Sequence, residues 1–551
     1  METSRRTVIK AGLVAGSATL VPVAGPGAVP ATAAPALRQN PFTLGVASGD
    51  PWPDGFVLWT RLALEPLAED GSGGMPARDY PVQWQVALDP LFRQVVREGS
   101  ATARPGYGHA VHVELTGLEP GREYWYRFRQ GPHLSRAGRT MTAPAPGSMP
   151  PALAMSFVSC SQFEHGWFTA YHRLAEDRPD LVLHLGDYQY EYKQDSYVAP
   201  GGNVRDHEGP ETTTLAGYRQ RHAQYKTDED LQQAHAVAPW LVVWDDHELD
   251  NNWADEVPEK AESGFLERRA AAFRAYYENM PLRASSKPRG IDMQLYRRVH
   301  WGRLATFHML DTRQYRDDQG CGDGYRTDCP AAVDPARSIT GAQQEAWLTD
   351  GFRRSTARWD LLGQQVFFAQ RDSDGGPLKT TSMDAWDGYV ASRQRITQGW
   401  VDAQVRNPVV LTGDVHAHWA SDLKLDYDDP TSATVGAELV CSSITSGGDG
   451  SDSPTGSHPW LSWNPHLRFQ NNLRGYVNTT ITPDALEADF RCVRRVSQPG
   501  AEVFTRASFA IEDGVPGLQK TGDTPPTATK SALPDPQVLS DATVAWETAR
   551  P

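Results

Sequence analysis

The sequence predicts an α/β domain preceded by a smaller all-β domain, and three observations carry that expectation. From residue 40 to about 147, short β-rich runs lie between turn residues. From about 152, compact apolar runs alternate with helix-like segments, as in a layered α/β domain. Several of those later runs end in polar, chemically able side chains, at the place where α/β sheets hold their ligands.

In the first region the runs are "FVLWTRL" (56–62), "PVQWQVALD" (81–89), "HAVHVELTGLEPGREYWYRFRQG" (109–131) and "AGRTMTAP" (137–144). Val111, Val113 and Leu115 alternate with His112 and Glu114, the pattern of a half-buried strand. "LTGLEPGREYWYRF" places a tyrosine soon after a Pro-Gly turn, which resembles an Ig or fibronectin-type sandwich over 40–147. "APAPGSMPP" (143–151) reads as the linker.

The second region, 152–515, holds "LAMSFVS" (153–159), "LVLHLG" (181–186), "WLVVW" (240–244), "RLATFHML" (303–310) and "PVVLTG" (408–413). Such short apolar runs suit strands buried on both faces. "GWFTAYHRLAED" (166–177) and "FLERRAAAFRAYYEN" (265–279) are helix-like, and 516–551 reads as a loose tail.

The N-terminus, 1–33, carries Arg5-Arg6, a weakly apolar stretch and Ala31-Thr32-Ala33, which resembles a twin-arginine export signal. A secreted protein handled by the twin-arginine export machinery is expected. No later apolar run reaches the roughly 18 residues of a membrane span. A net charge of −15 argues against nucleic acid as a partner. It leaves phosphate substrates open, because bound cations reverse a local field. Export permits disulfides, and the five cysteines leave one over. "CGDGYRTDC" suggests Cys321–Cys329, Cys441 and Cys492 could form a second bridge, and Cys160 remains.

Four strand ends concentrate the chemistry: Ser159-Cys160-Ser161-Gln162, Gly186-Asp187-Tyr188-Gln189-Tyr190, Asp245 to Asn252, and Gly413-Asp414-Val415-His416-Ala417-His418. Each has an ordinary reading as well. A cysteine ending an apolar strand is commonly a small buried hydrophobe, and Asp245-Asp246 could cap a helix. His416 and His418, two apart, are a weak metal signal alone. Together the four ends point to a polynuclear metal site. Thiolate and phenolate suit a highly charged transition metal, whereas calcium takes six to eight oxygen ligands. Tyr188 and Tyr192, in the alternate phase, are expected to pack.

"FTLGVASGDPWPDGFVLWTRL", "SCSQ", "LHLGDYQYEY", "WDDHELDNNWA", "LDTRQYR", "LLGQQ" and "LTGDVHAHW" follow in order the pattern of the PhoD-type alkaline phosphatases and phosphodiesterases, from residue 42 to at least 420. The family also includes secreted phospholipase D enzymes. The resemblance implies an αββα metallophosphoesterase sandwich, as in purple acid phosphatases, behind the Ig/fibronectin-like domain. It implies Fe3+ held by Cys160, Asp187, Tyr190 and His416. Asp187 would bridge to Ca2+, with Asp414 and an acid or amide of "DDHELDNN", Asp246 or Asn251, as further ligands.

The reaction so implied is hydrolysis of a phosphate mono- or diester by in-line attack of metal-bound hydroxide. Asp187, His247, Asp414 and His416 are the expected catalytic residues, and His165, Arg313 and His418 the expected substrate contacts. "HELDN" lacks the second histidine of a zinc-protease motif, and no G-x-S-x-G elbow occurs. A phospholipase D would need an apolar margin for phospholipid headgroups and their chains, for which Trp253, Trp386 and "SHPWLSWNPH" (457–466) are candidates. A calcium-stabilised surface-binding protein without catalysis is the rival from another class.

Overall fold

A computed structural model of the chain describes residues 37–526, so the expected leader at 1–33 lies outside the described residues, as does everything from 527. Two large sheets form the centre. In the first, Leu181–Leu185 pairs in parallel with Leu153–Val158 on one side and Pro239–Val243 on the other. Leu181–Leu185 and Pro239–Val243 are buried at every residue, which is why they read as unbroken apolar runs. In the second, Ala305–Met309, Trp359–Gly363, Pro408–Thr412 and Thr434–Val440 are successive parallel neighbours.

Strand alternation divides the apolar residues between two cores. Leu361, Val409 and Leu411 join the core that holds Phe157 and Leu183 of the other sheet. Their chain neighbours Leu362 and Val410 join a second core with Leu348, Phe352, Ile396 and Trp400, from the helices Gly341–Arg354 and Val390–Asp402. Thr169–Asp177 and Glu229–Val237 contribute Ala170, Leu174, Leu231 and Ala234 to the first core. Each fully buried leucine contributes roughly 1.5–3 kcal/mol. The result is the expected helix–sheet–sheet–helix sandwich.

The N-terminal region forms a five-stranded antiparallel sheet containing Tyr80–Ala87, Val95–Ala103 and Glu123–Gln130. Tyr124 makes the tyrosine corner, its hydroxyl accepting from the Glu119 amide at 3.0 Å. The facing strands Val46–Trp52, Gly55–Arg61 and Ala110–Glu114 belong to the first large sheet, because Val46–Trp52 pairs in parallel with Pro239–Val243. The change of pattern near 147–152 is therefore crossed by a continuous sheet.

Two expectations need correction. The chain is ordered into the sheet beyond 515, since Gln519–Asp523 pairs with Val503–Glu512. Cys321–Cys329 is a disulfide, but Cys441 and Cys492 are free and buried. Cys441 stands just beyond Thr434–Val440 in one large sheet and Cys492 within Ala485–Val493 in the other.

Candidate metal centre

The carboxyl ends of the central strands converge because glycine lets them. Gly186 has φ +111°, and a Cβ there would stand 2.4 Å from Asp245 Cβ. A Cβ on Gly413 would stand 2.7 Å from Ser159 Cβ. Each glycine precedes an aspartate, and the close approach accounts for "GD" at both strand ends. Beyond the glycines the backbone turns sharply. Cys160, Asp187, Asp414 and His416 all have positive φ, at 60°, 54°, 65° and 52°. Non-glycine residues seldom adopt this conformation, and it gathers at functional sites.

Two donor groups result, and Asp187 belongs to both. One donor atom each from Cys160, Asp187 and His416 lie within 4.8 Å of one another, and so do donor atoms of Asp187, Asp246 and His247. Tyr190 sits at the first group: its hydroxyl donates to Asp187 Oδ2 at 2.8 Å and lies 3.2 Å from His416 Nε2. The Tyr190 ring stacks on His247 with centroids 4.1 Å apart. Asp187 Oδ1 and Asp245 Oδ2 are buried without a hydrogen-bond partner.

Electrostatics make the same point. Burial, reinforced by the neighbouring acids, holds the carboxyl of Asp187 well above the usual range. Burial together with Asp384 and Asp246 pushes Asp414 up to about 7. Orphaned carboxylate oxygens beside a thiol, a phenol and an imidazole fit cations. Sulfur, phenol and imidazole gather on one side of Asp187, and the Asp246 carboxylate with the His247 imidazole on the other.

Supporting side chains hold these groups in place. Glu248 accepts from the amides of Asp187 at 3.1 Å, Tyr188 at 2.6 Å and Asp245 at 2.8 Å, so one carboxylate ties two strand ends together. Glu191 Oε2 lies 2.8 Å from His247 Nδ1, while its Oε1 accepts from Asn251 N at 3.1 Å. Asp246 accepts from the amides of His247 at 2.9 Å and Asn252 at 2.8 Å.

Comparison with known proteins decides the family. The PhoD-like phosphatase model matches residues 154–490, and the model of the PhoD-like phosphatase N-terminal domain matches 28–144. The chain belongs to the PhoD-like phosphatases. It is similar to alkaline phosphatase D of Bacillus subtilis (strain 168), 49% identical over 94% of this chain and 89% of the relative. It also matches a solved structure of PhoD with a TM-score of 0.89 and 48% identity, over 94% of this chain and 99% of that one. It is thus a phosphoric ester hydrolase of the PhoD type.

In this PhoD-like phosphatase the other expected residues fall less directly on the donor groups. Arg313 is fully buried and committed: Nε donates to Asp245 at 2.6 Å, and Nη1 and Nη2 to Asp384 at 2.7 and 2.8 Å. His165 uses both ring nitrogens, accepting from Gly447 N at 2.9 Å and reaching Tyr197 O at 3.0 Å. Burial lowers its pKa to about 4. His418 Nδ1 accepts from Ser442 N at 3.0 Å, and the ring is buried. The Asn251 amide donates to Glu259 at 2.9 Å. Trp253 and Trp386 are core residues, while Trp463 in the later segment is 40% exposed. Among the residues that sequence reading missed, Glu248 and Glu191 stand in the quoted motifs and were legible as buried acids. Asp384 lies in an unremarkable "SMDAW".

Proposed function

We propose that the two donor groups hold ferric iron and calcium, with Cys160, Asp187, Tyr190 and His416 on iron, and Asp187, Asp414 and Asp246 or Asn251 on calcium. The observation that carries this reading is the sharing of Asp187 between the two groups. A lone carboxylate needed by both is suited to bridging. When bound, the cations would acidify an attacking water and offset the charge of the phosphoryl oxygens.

The chain's own residues supply the rest. Glu191 fixes the His247 ring through Nδ1 and leaves Nε2 for a phosphoryl oxygen or the leaving group. Arg313, being held by Asp245 and Asp384, acts as a positioning residue for the Asp245-Asp246 turn rather than as a direct contact. His165 and His418 fall into the same supporting role.

The substrate is a phosphate mono- or diester. The tryptophans considered as a margin for phospholipid are mostly core residues, so a phospholipid preference loses that support. Turnover of p-nitrophenyl phosphate, bis-p-nitrophenyl phosphate and phosphatidylcholine by one preparation separates the classes. Hydrolysis of either nitrophenyl ester supports the reading, and no hydrolysis of any of the three by metal-replete protein contradicts it. The Arg5-Arg6 leader supports export in the folded state by the twin-arginine route, which would carry the metals out with the protein. Among the described residues no helix is long and apolar enough to cross a membrane.

A further inference from the structure

We infer that Arg474 and Ser446 form a positioning unit that sets Tyr190 and His416 for the metal. The inference rests on the proposed iron site and adds the parts that hold its phenol and imidazole in register.

Arg474 stands on the link that passes from one large sheet to the other, between Leu467–Asn471 and Gly475–Ile481. It is 1% exposed. Its guanidinium spreads over two loops. Nη1 donates to the carbonyl of His416 and to Ser443 Oγ at 3.2 Å, and Nε donates to Gly448 O at 2.8 Å. Ser442 Oγ adds a second donor to the His416 carbonyl at 3.2 Å. His416 has φ 52°, a conformation that is uncommon outside glycine and that hydrogen bonds from neighbours can stabilise. The donors on its own carbonyl, from Arg474 and Ser442, are placed to do so.

The second loop ends on the phenol. Ser443 Oγ donates to Ser446 O at 2.6 Å, and Ser446 Oγ donates to the Tyr190 oxygen at 2.7 Å. Ser446 Oγ is itself fixed by the Gln162 amide at 3.1 Å. One buried guanidinium therefore governs both His416 and the hydroxyl that reaches Tyr190. A lysine has the charge but not the planar fork, so it cannot span these acceptors.

The test loads wild type, Ser446→Ala and Arg474→Lys with ferric iron and calcium. It reads iron per chain, iron retention against a competing chelator, and the phenolate-to-iron absorption band. Wild type shows the band. Ser446→Ala, keeping its melting temperature, moves the band to longer wavelength because the phenolate loses a hydrogen-bond donor, and weakens iron retention about tenfold. Arg474→Lys weakens retention about tenfold to a hundredfold. Unchanged band and retention in Ser446→Ala overturn the inference, and do so even if Arg474→Lys fails to fold. Wild type that takes up no iron overturns the iron reading itself, and the inference with it.

Discussion

The phenol of Tyr190 donates a 2.8 Å hydrogen bond to Asp187 Oδ2, although the two residues are only three apart and follow the same strand. Asp187 has a φ of 54°, so the chain turns sharply here as it leaves the strand. The first prediction concerns the donor set so formed. Tyr190→Phe and Cys160→Ala are each expected to lose iron and at least about a hundredfold in activity. The five-stranded N-terminal sheet should stay folded. Elemental analysis with phosphatase assay and circular dichroism checks this, and a fully active Cys160→Ala enzyme would refute the assignment.

Gly186→Ala should be worse than an ordinary glycine substitution. The new Cβ would lie 2.4 Å from Asp245 Cβ at a φ of +111°. The variant is expected to lose metal and to unfold at lower urea, by more than the roughly 1 kcal/mol of a simple glycine effect. A urea titration beside metal analysis gives both quantities.

Glu248→Ala removes the acceptor of three buried amides at two strand ends. Leaving buried donors unpaired costs about 1–3 kcal/mol each, so a loss of at least about 3 kcal/mol is expected. The denaturant midpoint should fall, and activity should fall with it. Normal stability with normal activity would show that the carboxylate is dispensable.

Asp513 gives the pH dependence of a region remote from the metals. Hydrogen bonds from Arg406, assisted by Asn407 and Arg358, hold its carboxyl below the usual range. A depressed carboxyl stabilises the fold fully above its unfolded pKa of about 3.9, and that contribution is lost as pH falls through the folded value. In chelated protein, Asp513→Asn should melt about 2 °C lower at pH 7. The gap should begin to narrow below about pH 4 and go on shrinking as the pH falls further. A gap that is constant from pH 7 to pH 3 would contradict the pairing.

Much of this was legible in the sequence because buried parallel strands are continuous apolar runs and because their ends carry the chemistry. Leu181–Leu185 followed by Gly186-Asp187 is the plainest case. That the ends carrying Cys160, Asp187, Tyr190 and His416 could meet was readable because each closes such a run or follows one closely, whereas their grouping as one ligand set came from the family resemblance. Partners made by the fold were not readable. Asp384 reaches Arg313 from 71 residues away, and Ser446 reaches Tyr190 from 256, and neither carries a local signature. Arg313 looked free for substrate because its sequence neighbours do not reveal that Asp245 and Asp384 neutralise it. Cys441 and Cys492 looked like a pair only by elimination, whereas in the fold both are free, buried thiols.

The most direct test of the central claim is elemental analysis of the exported protein, purified without chelator. Iron near one per chain, accompanied by calcium, is the result this account predicts. Zinc alone, or no transition metal in an active preparation, would return Cys160 and Tyr190 to packing and contradict the proposed centre.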